Sequence, residues 1–112
     1  MSTATTATEI KVNADTPEFT GYLLALSAAF AAYWEHNGFT HAPVPVPTFT
    51  IGNRYIRIAS DRSVHSFIDR TNGDVLKPAG FRAPAKHARG NLFAGQNGSE
   101  AFDKHGWIKY LR

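Results

Sequence analysis

The chain contains no cysteine. That excludes disulfide frameworks and zinc–thiolate sites, and small secreted domains more often carry such bridges. It also lacks a long hydrophobic run. Its most apolar stretch, Tyr22 to Trp34, covers 13 residues, where a membrane-spanning helix needs about 20. No membrane partner is expected. The opening MSTATTATEIKV has neither a basic n-region nor an apolar h-region, so the expectation is a soluble intracellular protein without a secretory signal. Phosphate-cradling glycine motifs, nucleophile elbows and zinc-protease motifs are all missing, and no cofactor is expected. His36 and His41 with Asp15 or Glu35 form no recognised metal spacing. Asp61, Asp69 and Asp74 are too sparse for a calcium loop, so no metal is expected either.

The most informative scarcity is local. From Val75 to Phe93 the chain holds Lys77, Arg82, Lys86, His87 and Arg89 and no acidic residue. Pro78, Gly80, Pro84 and Gly90 interrupt it, which predicts a loop or a single short helical turn. Such cations repel one another unless something anionic sits among them, and phosphate is the commonest candidate. Acids are concentrated elsewhere. Residues 1–51 carry Lys11 alone against Glu9, Asp15, Glu18 and Glu35, whereas residues 52–90 carry eight lysines and arginines against three aspartates. The overall charge of +3 therefore hides one basic face.

With 112 residues, 43% of them apolar and 19% charged, the composition is that of one globular domain. Residues 1–14 read as a flexible N-terminal tail, with Glu9 to Val12 as a possible edge strand, and residues 15–112 as a single α+β domain. Asp15 or Thr16 can cap a helix that opens at Pro17. From there Phe19, Leu23, Leu26, Phe30 and Trp34 recur on one face, widened by Tyr22, Ala29 and Tyr33, until Asn37-Gly38 ends the period. This stripe reads as packing against a sheet rather than as a partner-helix or membrane surface. Pro43, Pro45 and Pro47 then force an extended spacer.

From Thr48 the period becomes two. Thr48–Ile51, Arg54–Ala59, Val64–Asp69 and Asp74–Lys77 read as strands, and Asn72-Gly73 marks a tight turn between the last two. On Arg54–Ala59 the alternation sends Ile56 and Ile58 to one face and Tyr55 and Arg57 to the other. The first face should take the helix and the second should be left for solvent or ligand. Residues 91–99 read as a polar, glycine-rich connector and residues 106–112 as a closing strand. The fold expected is one long amphipathic helix on an antiparallel β-meander.

Tyr55-Ile56-Arg57-Ile58, Val64 to Asp69, Gly73 to Ala79 and Pro84 to Asn91, together with the Trp107 to Arg112 end, resemble small proteins encoded by tailed bacteriophages. The resemblance covers about residues 54–91 and 107–112. It implies a viral origin and a location in the bacterial host cytoplasm or the virion, and it transfers no catalytic residue.

These readings converge on a binding surface. Arg57, Lys77, Arg82, Lys86, His87 and Arg89, with Tyr55 interleaved, are the mixture that holds single-stranded nucleic acid, where cations follow the backbone and rings stack on bases. A solvated basic face is the plainer account of the same residues. The alternative function is interaction with a host or virion protein through the aromatic helix stripe and the Pro–Val spacer. A third reading, metal-independent ribonuclease chemistry on His65, His87 and Lys86 or Arg89, has residue types but no motif joining them. Binding rather than catalysis is expected, and no catalytic residue is assigned.

Overall fold

Pro17 opens a helix because its fixed φ suits the first helical position and its missing N–H would have no partner there. In the computed structural model, which describes residues 10–38, 43–60, 63–80, 82–102 and 107–108, helix α1 runs Pro17–His36. Thr16 adopts the extended N-cap conformation, but its hydroxyl accepts from the Asn13 N–H rather than from the helix. At the other end Gly38, with φ 67°, supplies the left-handed residue that stops the helix.

Phe19, Tyr22, Leu26 and Phe30 form the buried seam of α1. The seam passes through Tyr22 rather than Leu23, which packs at its margin. Trp34 lies beyond the seam, half-buried against Tyr33.

Five strands follow: β1 (Thr48–Ile51), β2 (Tyr55–Ser60), β3 (Ser63–Asp69), β4 (Asp74–Pro78) and β5 (Pro84–Asn91). They pair antiparallel in chain order, a meander with β1 and β5 at its edges. The expected α+β architecture is present. Register places Ile56 opposite Ile68 and Ile68 opposite Val75. This row joins Ile58, Val12, the α1 seam, Leu92, Ala101, Phe102 and Ile108 in one core.

The basic stretch is not a loop. Residues 74–78 and 84–91 form the β4–β5 hairpin. Its prolines sit where a sheet tolerates them, at the last residue of β4 and the first of the edge strand β5. Two register shifts bulge the pair, between Val75 and Leu76 and between Leu76 and Pro78. The connector after β5 is likewise more than a spacer, since it buries Leu92 fully. Of the expected closing strand, the described part is Trp107 and Ile108, with a single bridge between Phe102 and Ile108; residues 106 and 109–112 lie outside the described residues.

Residues 1–9 also lie outside the described residues, but the end of the segment read as a tail is packed onto the domain. Val12 is fully buried, and the N–H groups of Lys11 and Val12 both donate to the Arg70 carbonyl. The Arg70 guanidinium completes the clasp by donating to the Val12 carbonyl (3.0 Å), the Gly52 carbonyl (2.6 Å) and Asn13 Oδ1 (2.9 Å). One planar fork thus ties the N-terminal segment to the β1–β2 turn. Arg70→Ala is expected to destabilise the domain by about 1–3 kcal/mol, the usual cost when a charged hydrogen-bonding group is removed from satisfied partners. Arg70→Lys should recover little of this, because one ammonium cannot span three acceptors. Thermal unfolding and amide exchange at Val12 measure both effects. Unchanged protection at Val12 in Arg70→Ala would show that the segment docks without the clasp.

Candidate nucleic-acid interface

The face of the sheet opposite α1 is built by register. Thr50 lies opposite Arg57, Arg57 opposite Phe67, Phe67 opposite Leu76, and Leu76 opposite Ala88. Tyr55 pairs with Asp69 on the same face. The alternation of β2 thus sends Ile56 and Ile58 to the core and Tyr55 and Arg57 to this second face, as the period-two pattern predicts.

Phe67 and Leu76 are nevertheless buried here, 3% and 6% exposed. A concavity of about 240 Å³ opens beside Phe67, lined by Thr50, Gly52, Asn53, Arg54, Tyr55, Arg57, Phe67 and Arg82. Arg82 belongs to the β4–β5 turn, so the hairpin tip must bend back across the face to share a cavity with β1 and β2. The bulges in that hairpin provide the bend.

Tyr55 stands edge-on to Phe67, with ring centroids 6.1 Å apart. The Arg54 guanidinium lies 5.3 Å from the centre of the Tyr55 ring and donates to Asp69 Oδ2 at 3.1 and 3.3 Å. Burial alone would raise the Asp69 carboxyl. The Thr71 hydroxyl and N–H, which donate to its other oxygen, and Arg54 outweigh that and hold it below its ordinary value. Asp69 therefore stays ionised and takes up Arg54, fixing that cation beside the tyrosine ring. The described lining of the cavity includes no acidic residue. Guanidinium forks match phosphate oxygens, and the aromatic pair offers a surface for a base.

The seven residues expected to form one groove divide into three sets. Tyr55, Arg57 and Arg82 share the cavity. Lys86, His87 and Arg89 lie along the edge strand β5, where Arg89 Nη1 donates to the His87 carbonyl and Lys86 and His87 are exposed. Lys77 departs from the expectation. Alternation from buried Val75 turns it to the helix side, where it lines a different cavity with His65 and Trp107. Arg54 and Phe67 were not singled out in the sequence, yet both line the site. The signal for Phe67 is its period-two place in Val64–Asp69. Arg54 could be found only as the cation preceding Tyr55.

The ribonuclease set is not assembled around this cavity. His65 is buried among Phe30, Phe102 and Trp107, and His87 is exposed on β5. Among the described residues no three His, Asp or Glu side chains cluster as metal ligands, and no helix is long and apolar enough to cross a membrane.

A model for a family of unknown function, DUF7717, matches residues 7–111. The chain belongs to this family. The DUF7717 match takes in α1 and the five described strands, so the helix falls within the family's extent, although it lies outside residues 54–91 and 107–112, which carry the phage resemblance. No curated protein and no solved structure matches the chain.

Proposed function

We propose that the protein binds single-stranded nucleic acid, with little sequence preference, on the open face of its sheet. The observation that supports this is the single concavity in which Tyr55 and Phe67 meet Arg54, Arg57 and Arg82. A phosphate would lie between the Arg57 and Arg82 guanidiniums while a base packs on Tyr55. Lys86, His87 and Arg89 on the neighbouring edge strand would follow the backbone as it leaves the cavity. Lys77 has no part in this surface. The proposal assigns binding and no catalytic residue. The phage origin and a site of action in the bacterial cytoplasm or the virion belong to the same proposal, and they rest on the resemblance of residues 54–91 and 107–112. The competing interface, the aromatic helix stripe, has less support because its Phe19, Tyr22, Leu26 and Phe30 lie in the core. Its end at Tyr33 and Trp34, half-buried, and the Pro–Val spacer, with Val46 73% exposed, stay outside that core.

The test is fluorescence anisotropy with single- and double-stranded DNA and RNA at several salt concentrations. Affinity for single strands should fall with salt by a log–log slope of about 0.7 per contacted phosphate. Arg57→Ala with Arg82→Ala should weaken binding for all sequences alike and flatten that slope by about 1–2 units. Lys86→Ala with Arg89→Ala should act in the same direction. Tyr55→Ala should cost about 1–3 kcal/mol and leave the slope nearly unchanged. Absence of binding at low ionic strength, where attraction is strongest, would end the proposal.

A further inference from the structure

The two edges of the sheet are finished differently. β5 opens on Pro84, carries Lys86 and Arg89, and is bulged twice against β4. Its His87 carbonyl is taken by the Arg89 side chain. Each of these features discourages a further strand. β1, at the other edge, has none of them. Thr48–Ile51 holds no charge and no proline, pairs with β2 without a register shift, and is exposed along its whole length. Phe49 and Ile51 are 40% and 41% exposed, although register sets them opposite Ile58 and Ile56 on the helix side. Phe19 meets the Phe49 ring edge-on at 5.1 Å and leaves the rest of this apolar pair open.

The outward backbone groups of β1 follow from its turn. The Gly52 N–H donates to the Tyr55 carbonyl, which makes Gly52 and Tyr55 a hydrogen-bonded pair. Bonded and non-bonded pairs alternate in an antiparallel ladder. Thr50–Arg57 and Thr48–Ala59 are therefore bonded pairs, and Phe49–Ile58 and Ile51–Ile56 are not. The N–H and carbonyl groups of Phe49 and Ile51 thus point away from β2. Among the described residues nothing takes them.

Pairing of β1 with a second copy of itself satisfies these groups in one register. Residues directly opposite share a face, so an antiparallel pair must centre on a residue. Centred on Thr48 or Phe49, it sets Phe49 or Ile51 against the partner's Pro47, which has no N–H to give. Centred on Ile51, it sets Phe49 against the partner's Asn53, in the turn. Centred on Thr50, it sets Phe49 against the partner's Ile51 and Ile51 against the partner's Phe49. Every outward N–H and carbonyl of these residues then has a partner. Aromatic–β-branched pairs of this kind stabilise a sheet, and here they close the apolar strip on the helix side. Charge does not oppose the contact. Arg57 lies opposite Thr50, so the two copies of Arg57 stand three strand spacings apart. That is about 14 Å, beyond the screening length of about 8–10 Å in ordinary buffers.

We propose that the protein self-associates as a two-fold dimer, β1 of each copy adding antiparallel to β1 of the other about Thr50. Because β5 is protected, the contact closes instead of growing into a fibre. A four-residue edge with the exposed Val44 and Val46 beside it makes a small interface. Interfaces of the small class bury under about 1,200 Å² in total, so a dissociation constant of about 10 μM to 1 mM is expected.

Association requires no nucleic acid, and none is added in the test. Sedimentation velocity of the full-length protein from about 10 μM to 1 mM should show monomer passing into dimer and nothing larger. Over that range amide exchange at Phe49 and Ile51 should slow, while Thr48 and Thr50, bonded to β2, should not change. Ile51→Lys, at an exposed position, should weaken association by about tenfold or more, and Leu24→Lys, on exposed α1 surface, should not. The absence of cysteine allows a test of register. Thr50→Cys sets two sulfurs on a non-bonded pair with Cα atoms about 4.5 Å apart, within disulfide range. Thr48→Cys offsets them by about 13 Å along the strands. Under mild oxidation the first should cross-link at least about tenfold faster than the second. The proposal is overturned if the protein stays monomeric throughout or grows beyond a dimer. It is equally overturned if Ile51→Lys associates like the parent, if Leu24→Lys abolishes association, or if Thr48→Cys cross-links as fast as Thr50→Cys. Exchange at Phe49 and Ile51 that ignores concentration also overturns it, and that measurement on the unaltered chain decides the matter even where a variant folds poorly.

Discussion

Phe30→Ala is expected to cost about 3–5 kcal/mol of unfolding free energy, the range for emptying a buried phenylalanine site. Phe30 is 2% exposed and ends the buried seam of α1. Its ring stands edge-on to His65 at 5.9 Å and tilted against Trp107 at 5.9 Å. Removing it leaves a void that neither neighbour fills cheaply, since the His65 ring is held by Ser66. A domain of this size has on the order of 5–15 kcal/mol in total, so the loss is a large fraction of it. At about 4 °C per kcal/mol, the melting temperature should fall by about 12–20 °C. Leu24→Ala on the same helix is the control: Leu24 is 65% exposed, and its variant should stay within about 0.5 kcal/mol of the parent. Equal melting of the two variants would mean that α1 does not present this seam to the sheet.

What was legible in the sequence was what local chemistry decides. The helix boundaries follow from Pro17 and Gly38, each of which does something other residues do poorly at that place. The faces of β2 follow from alternation, which needs no knowledge of the neighbouring strands. The β5 strand was hidden because its pairing with β4 is bulged, and bulges erase the period on which strand recognition depends. The same cause moved His65 from the face that alternation assigns to it. Lys77 was grouped with Arg57 by charge alone, although alternation from Val75 sets it on the opposite side. Val12 looked like part of a tail because its partner, Arg70, is 58 residues away and makes a contact that no window around Val12 contains. Arg82 shares a cavity with residues of β1 and β2, a position that depends on how the hairpin bends and that no local pattern around it reveals.

Gly73→Val should be the most damaging change outside the core, because two independent penalties meet there. Gly73 sits in the β3–β4 turn with φ 82°, in the left-handed region. A non-glycine residue held there costs about 1–3 kcal/mol, and a β-branched side chain fits worst. The turn cannot easily relax, because the Gly73 N–H donates to the Asp69 carbonyl and the Gly73 carbonyl accepts from Leu92, a core residue. The second penalty is steric: a Cβ at Gly73 would lie 2.7 Å from Cδ2 and Cε2 of Phe93. Phe93 is half exposed and can swing away, but its backbone is held by Asn91 Oδ1, and Asn91 also donates to the Asn72 carbonyl and to Asp74. Together the loss should be about 3 kcal/mol or more. A double-mutant cycle separates the two causes. Gly73→Asn suits the left-handed region yet still carries a Cβ, so pairing it with Phe93→Ala should restore most of the stability that Gly73→Asn loses. Gly73→Val with Phe93→Ala should recover only the steric part, since its φ is still wrong. Chemical denaturation of the parent, the three single variants and the two doubles supplies both couplings. If Gly73→Val unfolds at the parent's midpoint, the backbone of this turn is not left-handed at Gly73.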